Sequence, residues 1–100
     1  MGISREDFGF TTDYSILPKH MREGAKLYIE RGIKPGSFME AVICNNLTLA
    51  CMYADDINRY RLFDIVNFFY NEAPSACWGS KEKMEKWIEH KIREEKGYDG

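Results

Sequence analysis

The stretch that decides the fold is SFMEAVICNNLTLACMYA, residues 37–54. Glu40 is its only charged residue, so apolar side chains occupy nearly every face of a helix built from it. A helix without a polar face is usually buried on most sides. The turn sequence KPG comes directly before it, and Ser37 and Glu40 match a capping box. We therefore predict one helix from Ser37 to about Ala54.

A first helix precedes this stretch and begins at Pro18, because proline suits the first helical position. Apolar residues then recur at helical spacing. They are Met21, Ala25, Tyr28 and Ile29. Gly32 is a natural stop, since glycine adopts the left-handed conformation at little cost.

Two more helices follow. Asp55 and Asp56 break the apolar pattern and are expected to cap a third helix over residues 57–71, whose second half is strongly apolar. Ser80 caps a last helix over about residues 81–96. The predicted fold class is all-α, a compact antiparallel bundle of three to four helices.

One hundred residues fit a single domain. We place the helical domain at residues 17–96, after an irregular N-terminal arm at 1–16 and before a frayed tail at 97–100. Three aromatic residues are expected to pin the arm to the domain or to a neighbouring subunit. They are Phe8, Phe10 and Tyr14.

The two middle helices carry more apolar surface than two amphipathic helices can cover. A homo-oligomer would bury the excess.

The charge balance disfavours nucleic acid as a partner. Lys and Arg number 14 against 16 Asp and Glu, a net charge of −2. Duplex-binding domains usually carry a strong basic excess. No apolar run approaches the ~20 residues of a membrane span, and the first residues lack the apolar stretch of a signal peptide. We expect a cytoplasmic protein without a membrane partner.

The cysteines and motifs indicate no catalytic or metal site. The three cysteines include no CxxC pair, which disfavours zinc and a disulfide framework. Cys44 and Cys51 are seven apart and should share one helix face as buried thiols. Cys77 lies in a loop and is the better candidate for a reactive thiol. The sequence has no P-loop, GxGxxG, GxSxG or HExxH motif, so we predict no enzyme activity and no cofactor.

The segment between the last two helices is the first candidate binding site. Its candidate residues are Asn71, Glu72, Cys77 and Trp78. A recognition loop anchored by Trp78 predicts an exposed patch around residues 72–80. The alternative is a structural turn in which Trp78 packs against the last helix and Ser80 caps it.

A set of cations is the second candidate, for an anionic small ligand. Lys34 lies beside a glycine and a helix start, a position that suits an anion. Arginines next to tyrosine stack on bases or clamp phosphates. The set comprises Arg22, Arg31, Lys34, Arg59, Tyr60 and Arg61. An ordinary turn and solvated charges at helix starts explain the same residues.

Several stretches resemble small proteins encoded by bacteriophages and prophages. They are LPKHMREG at 17–24, YIERGIKPGSF at 28–38, YNEAP at 70–74 and CWGS at 77–80, and the resemblance spans about residues 14–90. It implies a phage protein in the bacterial host cytoplasm that binds and neutralises a host factor, such as a defence protein. The alternative it implies is an oligomeric sponge that sequesters an anionic nucleotide. It implies no catalytic residue.

Overall fold

The computed structural model describes residues 12–97, with side chains to Glu94. Its regular elements are all helical, which confirms the all-α class, but it contains six α-helices rather than three or four. They are α1 Lys19–Arg31, α2 Ser37–Ile43, α3 Leu47–Tyr53, α4 Asp56–Tyr60, α5 Leu62–Asn71 and α6 Lys81–Gly97. Short 3₁₀ turns lie at Tyr14–Ile16 and Ser75–Cys77. Most of the predicted arm, including Phe8 and Phe10, and the end of the predicted tail lie outside the described residues.

The second predicted helix is two helices, because Asn45 ends α2. Asn45 lies in the left-handed region with φ 61°. Its N–H donates to the Val42 carbonyl at 3.0 Å, and the Asn46 N–H donates to the Ala41 carbonyl at 2.8 Å. These hydrogen bonds form a Schellman motif, which accepts asparagine in the left-handed position. The Asn46 side chain then caps α3 by accepting from the Leu49 N–H.

The predicted capping box at the start of α2 is wrong. Gly36 is the N-cap residue, and its carbonyl accepts from the Glu40 N–H at 2.9 Å. Ser37 is already the first helical residue, so its hydroxyl is past the position from which a side chain caps. The Glu40 carboxylate instead lies 3.8 Å from the Lys34 ammonium.

The third predicted helix is interrupted at Arg61. Asp55 caps α4 as predicted, since its carboxylate accepts from the Asn58 N–H at 2.7 Å. Arg61 departs from helical geometry, with φ −104° and ψ 13°. Its guanidinium donates to the Ile16 carbonyl at 2.6 Å and to Asp64 at 2.8 Å. The interruption therefore lies where this side chain reaches the segment before α1.

The core is built from one face of α1, most of α2, the inner face of α5 and one residue of α6. The apolar stripe predicted on α1 is buried, as is the set Ile65, Phe68 and Phe69 on α5. Tyr14 extends the core outward, with its ring centroid 5.6 Å from that of Phe68. This part of the predicted arm is thus pinned to the domain by its aromatic side chain.

Helices α1 and α6 pack closely together at Gly32, which ends α1 with φ 70°. A Cβ added there would lie 2.7 Å from the Lys91 Cβ and 3.1 Å from the Ile88 carbonyl oxygen. The Trp87 indole N–H also donates to two carbonyls of α1, at 3.2 Å and 3.1 Å. Glycine is therefore required at this position both by its backbone conformation and by the space available.

We predict opposite effects for alanine at two glycines of α1. Gly32→Ala lowers the free energy of unfolding by at least about 2 kcal/mol, because the new Cβ is strained and overlaps α6. Gly24→Ala raises it by about 0.5–1 kcal/mol, since glycine weakens a helix interior and the new Cβ meets only Met39 Cε at 3.5 Å. Urea unfolding followed by circular dichroism measures both, and equal effects would contradict the close packing of α6 on α1.

Candidate functional site

The loop between α5 and α6 is fastened to the core by its backbone. The Tyr28 hydroxyl donates to the Cys77 carbonyl at 2.6 Å, and the Gly79 N–H donates to the Ile43 carbonyl at 2.7 Å. Tyr28 is fully buried. Burial, and next the nearby Cys77 thiol, raise the pKa of Tyr28 above its usual value, so the hydroxyl donates as a neutral phenol. These contacts give the loop a structural role.

The candidate residues of this segment differ in their exposure to solvent. Asn71 is exposed, Glu72 and Trp78 are half-buried and Cys77 is buried. The Trp78 ring packs on α5, with centroids 6.2 Å from Phe69 and 6.5 Å from Tyr70. The large exposed apolar side chains of the described chain lie outside residues 72–80. Tyr70, whose ring contacts Trp78, is 73% exposed, so exposed apolar surface adjoins this loop and the patch predicted around it stays a prediction.

The structure differs from the sequence prediction in the exposure of the three thiols. Cys77 is fully buried, and desolvation raises its pKa to about 12, so it is protected although it lies in a loop. Cys51 is exposed and Cys44 is half-buried. Cys44 is the C-cap residue of α2, whereas Cys51 lies within α3, and Asn45 separates the two helices. They do not share the single helix face that their spacing predicts.

The cationic candidates lie at the two ends of α1. Arg22, Arg59, Tyr60 and Arg61 belong to the starting end, where α4 lies beside α1 and His20 Nε2 is 3.5 Å from the Asp55 carboxylate. Arg31 and Lys34 follow at the other end. A helix of 13 residues spans roughly 18 Å. One small anion does not reach both groups.

Two of these arginines hold the segment that precedes α1. Arg22 donates to the Leu17 carbonyl at 3.0 Å and to the Ser15 carbonyl at 3.1 Å. Arg61 donates to the next carbonyl, that of Ile16. Their side chains act as structural clamps, and a ligand would have to displace these hydrogen bonds.

Apolar side chains are exposed along α3, α4 and α5. On α3 they are Leu47, Leu49, Met52 and Tyr53. On α4 and α5 they are Ile57, Tyr60, Phe63, Val66 and Tyr70. Soluble monomers rarely expose contiguous apolar patches of this extent without a binding role. Of these positions, only Tyr60 was predicted as a site residue. The absence of any charged residue from 41 to 54 was a usable signal for the positions on α3.

The exposed side chains of α3 divide into two directions. At 3.6 residues per turn, Leu49, Met52 and Tyr53 share one face, whereas Leu47 projects from the other side of the helix. We call Leu49, Met52 and Tyr53 the α3 surface. Leu47 lies instead beside Val66 of α5, where both line a small cleft.

A groove runs beside the α3 surface, between α3, α2 and the start of α6. Its volume is about 420 Å³. Leu49 and Tyr53 line it together with Ala41 and Cys44, and Glu40 and Lys81 provide charged groups. A groove lined by both apolar side chains and charged or polar groups is typical of a recognition surface.

The described residues hold no group of three or more His, Cys, Asp or Glu that could bind a metal ion. None of the described helices is long and apolar enough to cross a membrane. No protein-family model, curated protein or solved structure matches the chain.

We predict that Tyr28→Phe lowers the free energy of unfolding by about 1–3 kcal/mol, because it leaves the buried Cys77 carbonyl without a donor. The raised pKa of Tyr28 also makes wild-type stability fall as pH rises above about 10, since only the unfolded chain loses the proton. Urea unfolding between pH 8 and pH 11 should therefore give a shallower alkaline decline for Tyr28→Phe. Equal slopes would contradict the buried neutral phenol.

We predict a fixed order of alkylation by iodoacetamide in the native state. Cys51 reacts first, Cys44 more slowly, and Cys77 only after unfolding, in keeping with their exposure. Peptide mass spectrometry after timed labelling gives the order, and Cys51→Ser should remove the fast phase. Rapid native labelling of Cys77 would show that the loop is open.

Proposed function

We propose that this chain is a non-enzymatic binding protein that holds a partner protein on the α3 surface. The biological setting comes from the resemblance to phage and prophage proteins, in which the partner is a host factor that binding neutralises. Support for a binding role comes from the described geometry, in which the apolar surface is large and the nucleophilic Cys77 is buried.

One observation carries the proposal: α3 buries only Ala50. The other six residues of this helix are exposed, including four with large apolar side chains. Met52 is 69% exposed and Tyr53 is 51% exposed. A helix this apolar normally turns most of its side chains into a core. Water contact at these side chains is unfavourable by about 25 cal/mol per Å², and a partner that covers them removes that cost.

The chemistry of the α3 surface suits a protein partner. Tyrosine is enriched at binding hot spots because it offers a large ring and a polar hydroxyl. Methionine adapts its shape to irregular surfaces. Glu40 and Lys81 lie at the adjacent groove and can pair with polar groups of a partner around the apolar centre.

We predict that Met52→Glu weakens partner binding by about 30-fold or more, which corresponds to about 2 kcal/mol for loss of a central apolar anchor. The side chain is exposed, so the variant should keep the wild-type helical content and melting temperature. The measurement is capture from bacterial lysate on immobilised wild-type and variant chains, with the retained proteins quantified by mass spectrometry.

The matched control is Ile92→Glu, which places the same charge on an exposed apolar residue of α6. It should retain the captured protein as wild type does. Capture of no host protein, or equal capture by Met52→Glu, would contradict the proposal.

A further inference from the structure

A second apolar surface lies on the outer side of α5. Phe63, Val66 and Tyr70 are spaced three and four residues apart, so they form one stripe along the helix. Phe63 is 77% exposed and Tyr70 is 73% exposed. Tyr60 precedes the stripe by three residues and is 90% exposed. We call these four residues the α5 stripe.

We propose that the α5 stripe is the contact between two copies of this chain, related by a two-fold axis. In an antiparallel pair of α5 helices, an axis between Val66 and Asn67 places Phe63 of one copy beside Tyr70 of the other. Tyr60 belongs to α4, so its exposed ring extends this contact beyond the start of α5. Aromatic rings of the two copies thus pack against each other, as a self-complementary isologous interface requires.

The charges of α5 are compatible with an identical partner. Asp64 is the only charged residue of this helix, and its carboxylate lies 2.8 Å from Arg61 Nε of the same copy. Like charges from two copies therefore do not meet on the stripe. The hydroxyls of Tyr60 and Tyr70 can remain in water at the edge while the rings are covered.

The area of the stripe is close to what a stable dimer needs. Its three exposed aromatic side chains present on the order of 500 Å², at 150–250 Å² for each full ring. Val66 is partly exposed, and Leu47 of α3, which lies beside it, is 66% exposed. Together with the polar atoms between them, these residues approach the roughly 800 Å² per partner of a standard interface.

The dimer contact and the proposed α3 surface are separable. Leu49 and Tyr53 line the groove against α2 and α6, whereas Leu47 and Ala50 of the same helix border α5. The buried Ala50 lies between the two surfaces. A dimer through α5 therefore leaves the α3 surface open on each copy.

The test is the mass of the full chain, measured by light scattering during size-exclusion chromatography at micromolar concentration. Wild type should have twice the chain mass of 11.7 kDa. Phe63→Glu and Tyr60→Glu should each halve the mass, because both replace exposed side chains and leave the fold of one copy intact. Circular dichroism checks that the fold is retained. A wild-type monomer would overturn the proposal.

Two further experiments test the register of the α5 pair and the assignment of the contact to α5. Phe63→Glu and Tyr70→Lys should each be monomeric alone and should form a mixed dimer when combined, because residue 63 of one copy faces residue 70 of the other. Met52→Glu should remain a dimer. A dimer that Met52→Glu dissociates and Phe63→Glu does not would place the contact on α3 and overturn the α5 assignment. If the wild-type chain is a dimer but captures no host factor, the proposed function fails and the α5 dimer stands.

Discussion

One buried hydrogen bond joins the two halves of this small domain. The Tyr28 hydroxyl on α1 donates to the Cys77 carbonyl, 49 residues further along the chain. Neither group has access to water, so each depends on the other for its hydrogen bond. The contact fixes where the loop after α5 crosses α1 and therefore where α6 begins. Trp87 and Gly32 then bring α6 against the last turn of α1.

Hydrogen bonds also hold the segment that precedes α1. Arg22 and Arg61 clamp three successive carbonyls from Ser15 to Leu17, while Tyr14 covers Phe68. Guanidinium groups with several donors suit this task, because each can satisfy more than one acceptor. The core is thereby closed by α1, α2, α5 and α6. Most of α3, all but the buried Ala50, and the outer side of α5 remain outside it.

The limited size of this core explains why apolar side chains are exposed on α3 and α5. Large apolar side chains already occupy the core: Ile43, Ile65, Phe68 and Phe69 are all fully buried. The apolar residues of α3 and the outer residues of α5 have no place left inside one copy. In our proposals, a partner protein covers the first group and another copy of the chain covers the second, because the two groups border different clefts.

The sequence by itself determined the helical class, the extent of α1 and α6, the buried stripe on α1 and the Asp55 cap, because these depend on local spacing and on nearby hydrogen-bonding groups. The excess of apolar residues on the middle helices could also be predicted, since it follows from the composition of residues 37–71. The tertiary structure alone decided that Asn45 turns left-handed and that Arg61 reaches the Ile16 carbonyl, so that two predicted helices became four. It also decided that Cys77 is buried. The turn at Asn45 is closed by local hydrogen bonds, from Asn45 to Val42 and from Asn46 to Ala41, which the apolar pattern does not reveal. The Arg61 contact and the burial of Cys77 depend on residues distant in the chain, which neither periodicity nor propensity contains.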